Sequence, residues 1–208
     1  MEGAGSRQAE AAPGMKEEQT MGEHYGETES RVLQRDCAAV SVPWGQAETL
    51  PAGGFALVTQ RLGGSITVMS GGNLYRIDEG DADALGLEPQ PLATPPTGTG
   101  AVDAESIERA AWAQLATCYD PEIPIDIVDL GLVYACTAEA LDDGRYRLAV
   151  SMTLTAPGCG MGTLIADEAR TKLLAIPGVA EADVTLVWDP PWSREMMSEA
   201  ARLEMGLY

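Results

Sequence analysis

The stretch Arg145–Ile176, RYRLAVSMTLTAPGCGMGTLIADEARTKLLAI, decides the fold. Its first eleven residues alternate, with Tyr146, Leu148, Val150, Met152 and Leu154 on one face of a strand. A glycine-rich loop follows, Pro157-Gly158-Cys159-Gly160-Met161-Gly162. Helix-forming residues then run from about Thr163 to Ile176, and Pro177-Gly178 ends them. Downstream, Ala182, Val184, Leu186 and Trp188 mark another strand, so the two strands form a parallel pair with a right-handed helical crossover. Upstream, Leu132 to Ala138 reads as a strand that the Asp142-Asp143-Gly144 turn folds back onto the first. Before it, Asp103 N-caps a helix to about Cys118, with Ile107, Ala111, Leu115 and Cys118 along one face. Tyr119-Asp120-Pro121-Glu122-Ile123-Pro124 stops that helix, because each proline disfavours helical geometry in the residue before it. After Asp189-Pro190-Pro191-Trp192, Ser193 caps a last helix with Met196, Met197, Ala200 and Leu203 on one side. The order α-β-β-α-β-α predicts an α+β domain over residues 102–208 with a three-stranded mixed sheet.

Residues 31–85 read as a small β-rich unit. Its strands are Cys37–Val42, Phe55–Gln60, Ser65–Ser70 and Leu74–Ile77, with glycine turns at Gly63-Gly64 and Gly71-Gly72. Runs this short bury little alone, so the unit is expected to dock on the rest of the chain. Residues 86–101, GLEPQPLATPPTGTGA, form a Pro/Gly-rich linker or extended strap. Residues 1–30 lack hydrophobic periodicity and read as a disordered acidic leader.

The chain has 208 residues, 45% of them hydrophobic and a single Phe, so its core rests on aliphatic side chains. A formal charge of −19 argues against nucleic acid and anionic membranes, both of which select clustered Lys and Arg. No run approaches the roughly 18 apolar residues of a membrane span, and the N-terminus has no apolar signal core. A cytoplasmic, reducing location is the expectation, and the four cysteines read as thiols. No two of them form CxxC, which argues against a self-contained zinc or four-cysteine cluster site. The only histidine, His24, lies in the leader, which argues against imidazole-dependent triads and dyads.

Cys159 is the most informative position. It joins a strand end to a helix start between two glycines, where free N–H groups and the helix dipole favour a thiolate. The contrary reading is an inert small residue in a tight turn. Cys118, on an apolar helix face, and Cys136, inside a strand, read as buried packing; the role of Cys37 stays open. Asp120, Glu122, Asp126 and Asp129 place four carboxylates within ten residues, yet without the glycine-centred pattern of a calcium loop. The GCGMG loop matches no nucleotide-binding motif. Trp192 reads either as a partner anchor or as a packed helix entry, and Met196-Met197 as core.

Three motifs, DPEIPIDIVDLGLVY, MTLTAPGCGMG and WDPPWSREMMSEAARLEMG, resemble the small domain shared by bacterial SufT, PaaD-type proteins and the eukaryotic targeting subunits of cytosolic iron–sulfur assembly. RDCAAVSVPWG, LVTQRLGGSITV and GGNLYRI resemble the N-terminal region of SufT proteins. The resemblance implies an α+β fold and a non-enzymatic auxiliary role in assembling or delivering iron–sulfur clusters. It places the family's reactive cysteine on Cys159, a candidate cluster ligand shared between subunits or with a partner. It places the acidic motif on Asp120, Pro121 and Glu122, which with Thr155, Gly158 and Gly160 would shape the pocket. The cargo would be a transient iron–sulfur cluster. The partners would be carrier or scaffold proteins and client apoproteins, with a homodimer as one way to complete the cluster's ligands. Two alternatives are a thiol-dependent enzyme using Cys159 and a client-recruiting module with no metal role. The first lacks a histidine base, and a neighbouring carboxylate would raise the thiol pKa.

Overall fold

A computed structural model describes residues 29–91, 103–156 and 160–207. The first six strands are β1 (Glu29–Val32), β2 (Cys37–Val42), β3 (Ala47–Leu50), β4 (Phe55–Leu62), β5 (Ser65–Ser70) and β6 (Asn73–Asp78). They form one antiparallel sheet in the order β1-β4-β5-β6-β2-β3. The four inner strands are those the sequence patterning picks out. The edges β1 and β3 escaped it, because ESRV and AETL leave nearly every side chain to solvent. A strand paired on one side and covering little core has no need of an apolar alternation. β1 also begins at Glu29, inside the stretch read as leader.

One face of this sheet buries Cys37, Ala39, Ala56, Val58, Ile66, Val68, Tyr75 and Ile77. A 3-10 helix over Glu79–Leu85 closes it with Ala82, Ala84 and Leu85. The chain beyond stays strapped to this unit: Leu87 packs on the same core, and the Gln90 amide donates to the buried Glu79 carboxylate at 2.7 Å.

The second half runs α1 (Ala104–Leu115), β7 (Val133–Ala140), β8 (Tyr146–Met152), α2 (Met161–Leu174), β9 (Val179–Leu186) and α3 (Glu199–Glu204). β7 pairs antiparallel with β8, and β8 parallel with β9 across α2, so the α+β reading with a mixed three-stranded sheet holds. Asp103 caps α1 reciprocally. Its carboxylate accepts from the Ser106 amide at 2.8 Å, and the Ser106 hydroxyl accepts from the Asp103 amide at 3.0 Å. Ile107, Ala111, Leu115 and Cys118 are all buried, as are Leu148, Val150, Met152 and Leu154 on β8 and its extension.

Two boundaries move. α2 starts at Met161, two residues earlier than the helix propensities indicate, because Met161 and Gly162 turn into the core. The last helix is capped by Ser198, not Ser193: the Ser198 hydroxyl accepts from the Ala201 amide at 3.1 Å. Ser193 precedes only a 3-10 turn, Arg194–Met196, and makes no side-chain capping bond. Met197 then goes extended to bury its side chain, which interrupts the helix there.

The two sheets meet along α2. Arg76 of β6 pairs with Glu168, which also holds Lys172 at 2.8 Å. Lys172 donates to the carbonyls of Gly63 (2.8 Å) and Thr117 (2.6 Å), tying three segments at one ammonium. Gln60 donates to the Asp120 carbonyl at 3.2 Å. Val42 and Leu74 leave the first sheet to join the second core.

Candidate functional site

β8 carries the chain from the sheet toward the start of α2. Thr153 and Leu154 are buried, Thr155 is half-buried and Ala156 is exposed. Pro157, Gly158 and Cys159 lie outside the described residues, so the thiol's placement does too. Gly160 is described, at the N-cap of α2. Among the described residues no side chain caps this 14-residue helix, and its first turn holds no acidic residue. Its N-terminal amides are therefore unspent by side chains immediately after Cys159, where the helix dipole favours negative charge.

The turn between β2 and β3 seats directly on this helix start. A Cβ on Gly160 would overlap the Trp44 carbonyl oxygen and lie 2.8 Å from that of Pro43. A Cβ on Gly45 would overlap the Gly160 carbonyl oxygen, and Gly45 sits at φ +68°, in the left-handed region. Two backbones thus touch with nothing between them. At Gly162 a Cβ would run into the Leu154 side chain, so that glycine lets α2 lie close on the strand end.

The other three cysteines are buried. Burial pushes the Cys118 thiol up to about 12, with Glu168 adding to the effect. Burial and the nearby Glu108 push Cys136 up to about 11. Cys37 is also raised, by burial and then by Asp81. All three stay protonated near neutral pH and pack as small apolar groups, Cys118 and Cys136 as their positions indicate.

The acidic segment has a defined local job. The Asp120 carboxylate accepts from the amides of Glu122 (2.8 Å) and Ile123 (3.1 Å), closing an Asx turn around the buried Pro121. Asp126 repeats the device on Val128 (2.9 Å) and Asp129 (3.0 Å). Burial raises both carboxyls above their ordinary range, against the lowering pull of those amides. Glu122 is exposed. The described bonds of Asp120 run to its own turn and to Gln60, and none joins it to Thr155 or Gly160. Among the described residues no three Cys, His, Asp or Glu side chains gather closely enough to hold a metal ion.

Trp192 takes the packed reading: half-buried, it donates from Nε1 to the Leu130 carbonyl at 2.8 Å. Met197 is core, while Met196 sits at the surface beside the Tyr134 hydroxyl. Two features escaped sequence reasoning. Thr153 has a buried hydroxyl with no partner among the described residues, two residues before Thr155; a threonine in an apolar strand run carries no signal of that. Trp44 is 71% exposed at the tip of the turn that touches Gly160. Only the tertiary contact connects it with a loop more than a hundred residues away.

Residues 108–184 match the model of a family described as iron–sulfur cluster assembly protein. Over 88 residues the chain is 46% identical to the Fe-S protein maturation auxiliary factor SufT of Staphylococcus aureus (strain USA300), covering 42% of this chain and 96% of that protein. It is 37% identical over 103 residues to the Fe-S protein maturation auxiliary factor YitW of Bacillus subtilis (strain 168), covering 50% of this chain and 97% of the other. A solved domain of unknown function, DUF59 from Bacillus anthracis, is similar at 38% identity and a TM-score of 0.45, over 50% of this chain and 96% of that one. The matched family segment contains β7, β8, α2 and most of β9; the six-stranded sheet lies outside it.

Proposed function

Because this chain belongs to the iron–sulfur cluster assembly protein family, we propose that it is a SufT-type auxiliary factor that helps assemble or deliver clusters, with Cys159 as its thiolate contact. The observation that carries the assignment to Cys159 is the start of α2. Among the described residues no side chain caps the N-terminal amides that directly follow this residue, while the other three thiols are buried and held protonated. In this reading Thr155 and Gly160 flank the segment that carries the thiol, and Asp120, Pro121 and Glu122 form the acidic turn after α1.

The cluster in this reading is cargo. Clusters take about four thiolates, and one Cys159 supplies one of them. The remaining ligands come from a carrier, scaffold or client apoprotein, or from a second copy of the chain. Binding is therefore labile and coupled to association, which suits transfer. The protein makes no covalent change to a metabolite, and it works in the cytoplasm. No helix among the described residues is long and apolar enough to cross a membrane.

Anaerobic reconstitution with iron and sulfide tests this. The wild type is expected to gain a sulfide-to-iron charge-transfer band, and Cys159→Ser to lose it. Elution volume, read alongside, reports whether the cluster bridges two copies. A Cys159→Ser protein that binds a cluster as well as the wild type would remove the thiol from the mechanism.

A further inference from the structure

Almost every cation of the described chain is spoken for. Each described Arg and Lys other than Arg170, Arg194 and Arg202 has a carboxylate partner. Arg170 donates to the Ala182 carbonyl at 3.1 Å. Arg194 and Arg202 make no side-chain hydrogen bond or ion pair among the described residues. Want of acid is not the reason, since the chain holds 32 Asp and Glu against 13 Lys and Arg. These two arginines also line one pocket of about 480 Å³, together with Glu195, Gly206 and Leu207. That volume suits a small ligand.

The backbone brings the two together. Met197 turns its side chain into the core, and the Ser198 amide bonds the Asp129 carbonyl at 2.9 Å, which fixes the step from the Arg194–Met196 turn into α3. The Arg202 amide then donates to Ser198, and its carbonyl accepts from the Leu207 amide at 2.8 Å. Arg202 is half-buried, and Leu207 packs partly on the second core. A Cβ on Gly206 would meet nothing within 4 Å, so the space beside it is open. The Glu195 carboxyl is held below its ordinary range, first by the Ser193 side chain, then by its own amide and more weakly by Arg202 and Arg194. It is therefore ionised at neutral pH, yet it forms no ion pair with either arginine.

We infer that this pocket binds a small organic carboxylate, with Arg194 and Arg202 on the carboxylate and Leu207 against its aliphatic stem. Guanidinium forks match the planar, two-oxygen geometry of a carboxylate. Two guanidinium groups and one carboxylate leave the lining one positive charge in excess, which a single negative charge neutralises. A phosphate ester brings about −1.5 to −2 at pH 7 and would face Glu195 with charge to spare. The inference does not rest on the cluster-transfer reading.

The test titrates the full chain with isovalerate at constant ionic strength. Nitrogen–proton correlation spectra follow the Arg194 and Arg202 Nε–H groups and the Leu207 amide. Acetate, isoamylamine and inorganic phosphate are the comparators. Isovalerate is expected to move all three signals saturably, about threefold or more tightly than acetate or phosphate. Isoamylamine should move none of them, and the Arg109 Nε–H, paired with Glu105, should stay still throughout. Arg194→Gln and Arg202→Gln should each weaken isovalerate by about fivefold or more. Neither side chain holds another residue, so both variants keep their fold, which circular dichroism checks. Glu195→Gln should improve phosphate binding by a larger factor than isovalerate binding. Affinity within about twofold of wild type in both arginine variants overturns the proposal. So does a wild type whose signals move with no anion up to about 50 mM, or move equally with isoamylamine. Phosphate binding more tightly than isovalerate makes this a polyanion site, and acetate binding as tightly removes the role of Leu207; either result overturns the assignment to an organic carboxylate. Cys159→Ser should bind isovalerate normally, and Arg202→Gln should reconstitute a cluster normally, so this inference and the thiolate assignment fail separately.

Discussion

The contact between the β2–β3 turn and the start of α2 is open to a three-way glycine test. Gly72→Ala adds a Cβ at φ +86° with nothing within 4 Å, so it reports backbone strain alone, about 1–2 kcal/mol. Gly160→Ala adds one at φ −62°, which any residue adopts, so it reports steric overlap alone. Its Cβ would collide with the Trp44 carbonyl oxygen and lie 2.6 Å from that carbonyl carbon. Backbone cannot rotate aside as a side chain does, so the turn must move off the helix, at about 1–3 kcal/mol. Gly45→Ala combines both, with φ +68° and the Gly160 carbonyl in the way, and should lose about 2–5 kcal/mol. Urea unfolding of the four proteins, read as midpoint and slope, gives the comparison. The expected order of loss is Gly45→Ala above both others, with Gly160→Ala clearly measurable. A Gly160→Ala protein within about 0.5 kcal/mol of wild type would mean that the turn does not seat on α2, and the account of the site's wall would fall.

Three further outcomes follow from the same structure. Glu168→Ala leaves Arg76 and Lys172 facing each other half-compensated in the seam between the sheets, and should destabilise by about 2–4 kcal/mol in urea; a loss under about 1 kcal/mol would show the network is not holding the seam. Asp120→Asn keeps an oxygen acceptor for the Glu122 and Ile123 amides but removes a charge that burial disfavours. Because the folded carboxyl is raised, the wild type's favourable contribution is present below the ordinary Asp pKa and is lost as pH rises through the folded value. The variant should therefore gain on the wild type over that interval, and a flat difference across acid and neutral pH would show that Asp120 is not desolvated. Iodoacetamide at mildly alkaline pH should label one thiol quickly in the native protein and none in Cys159→Ser; fast labelling of Cys37, Cys118 or Cys136 would contradict their burial.

Much of this was legible in local pattern. The period-2 run Leu148-Val150-Met152 and the helical spacing of Ile107, Ala111 and Leu115 write the core faces of β8 and α1 directly into residue order. Core strands must show such periods because they bury one face. β1 and β3 have no such obligation, and they were invisible. The choice between Ser193 and Ser198 as helix cap was also hidden, since either serine suits the role and only the burial of Met197 decides between them.

The site divides the same way. Cys159 between glycines at a strand-to-helix junction, and the Asp-Pro-Glu stop after α1, are features of adjacent residues, and adjacency is what a sequence records. The carboxylates of Asp120 and Asp126 turned out to spend their lone pairs on their own turns, which depends on backbone conformation. By itself the chain determined the core strands of its two sheets and the buried face of α1, because each rests on a pattern within about a dozen residues. Only the tertiary structure decided that Gly45 meets Gly160, that Lys172 reaches both Gly63 and Thr117, and that Trp44 stands beside the start of α2. Those contacts join residues tens to more than a hundred positions apart, and such pairs form wherever the packed surfaces fit, leaving no period or spacing along the chain to announce them.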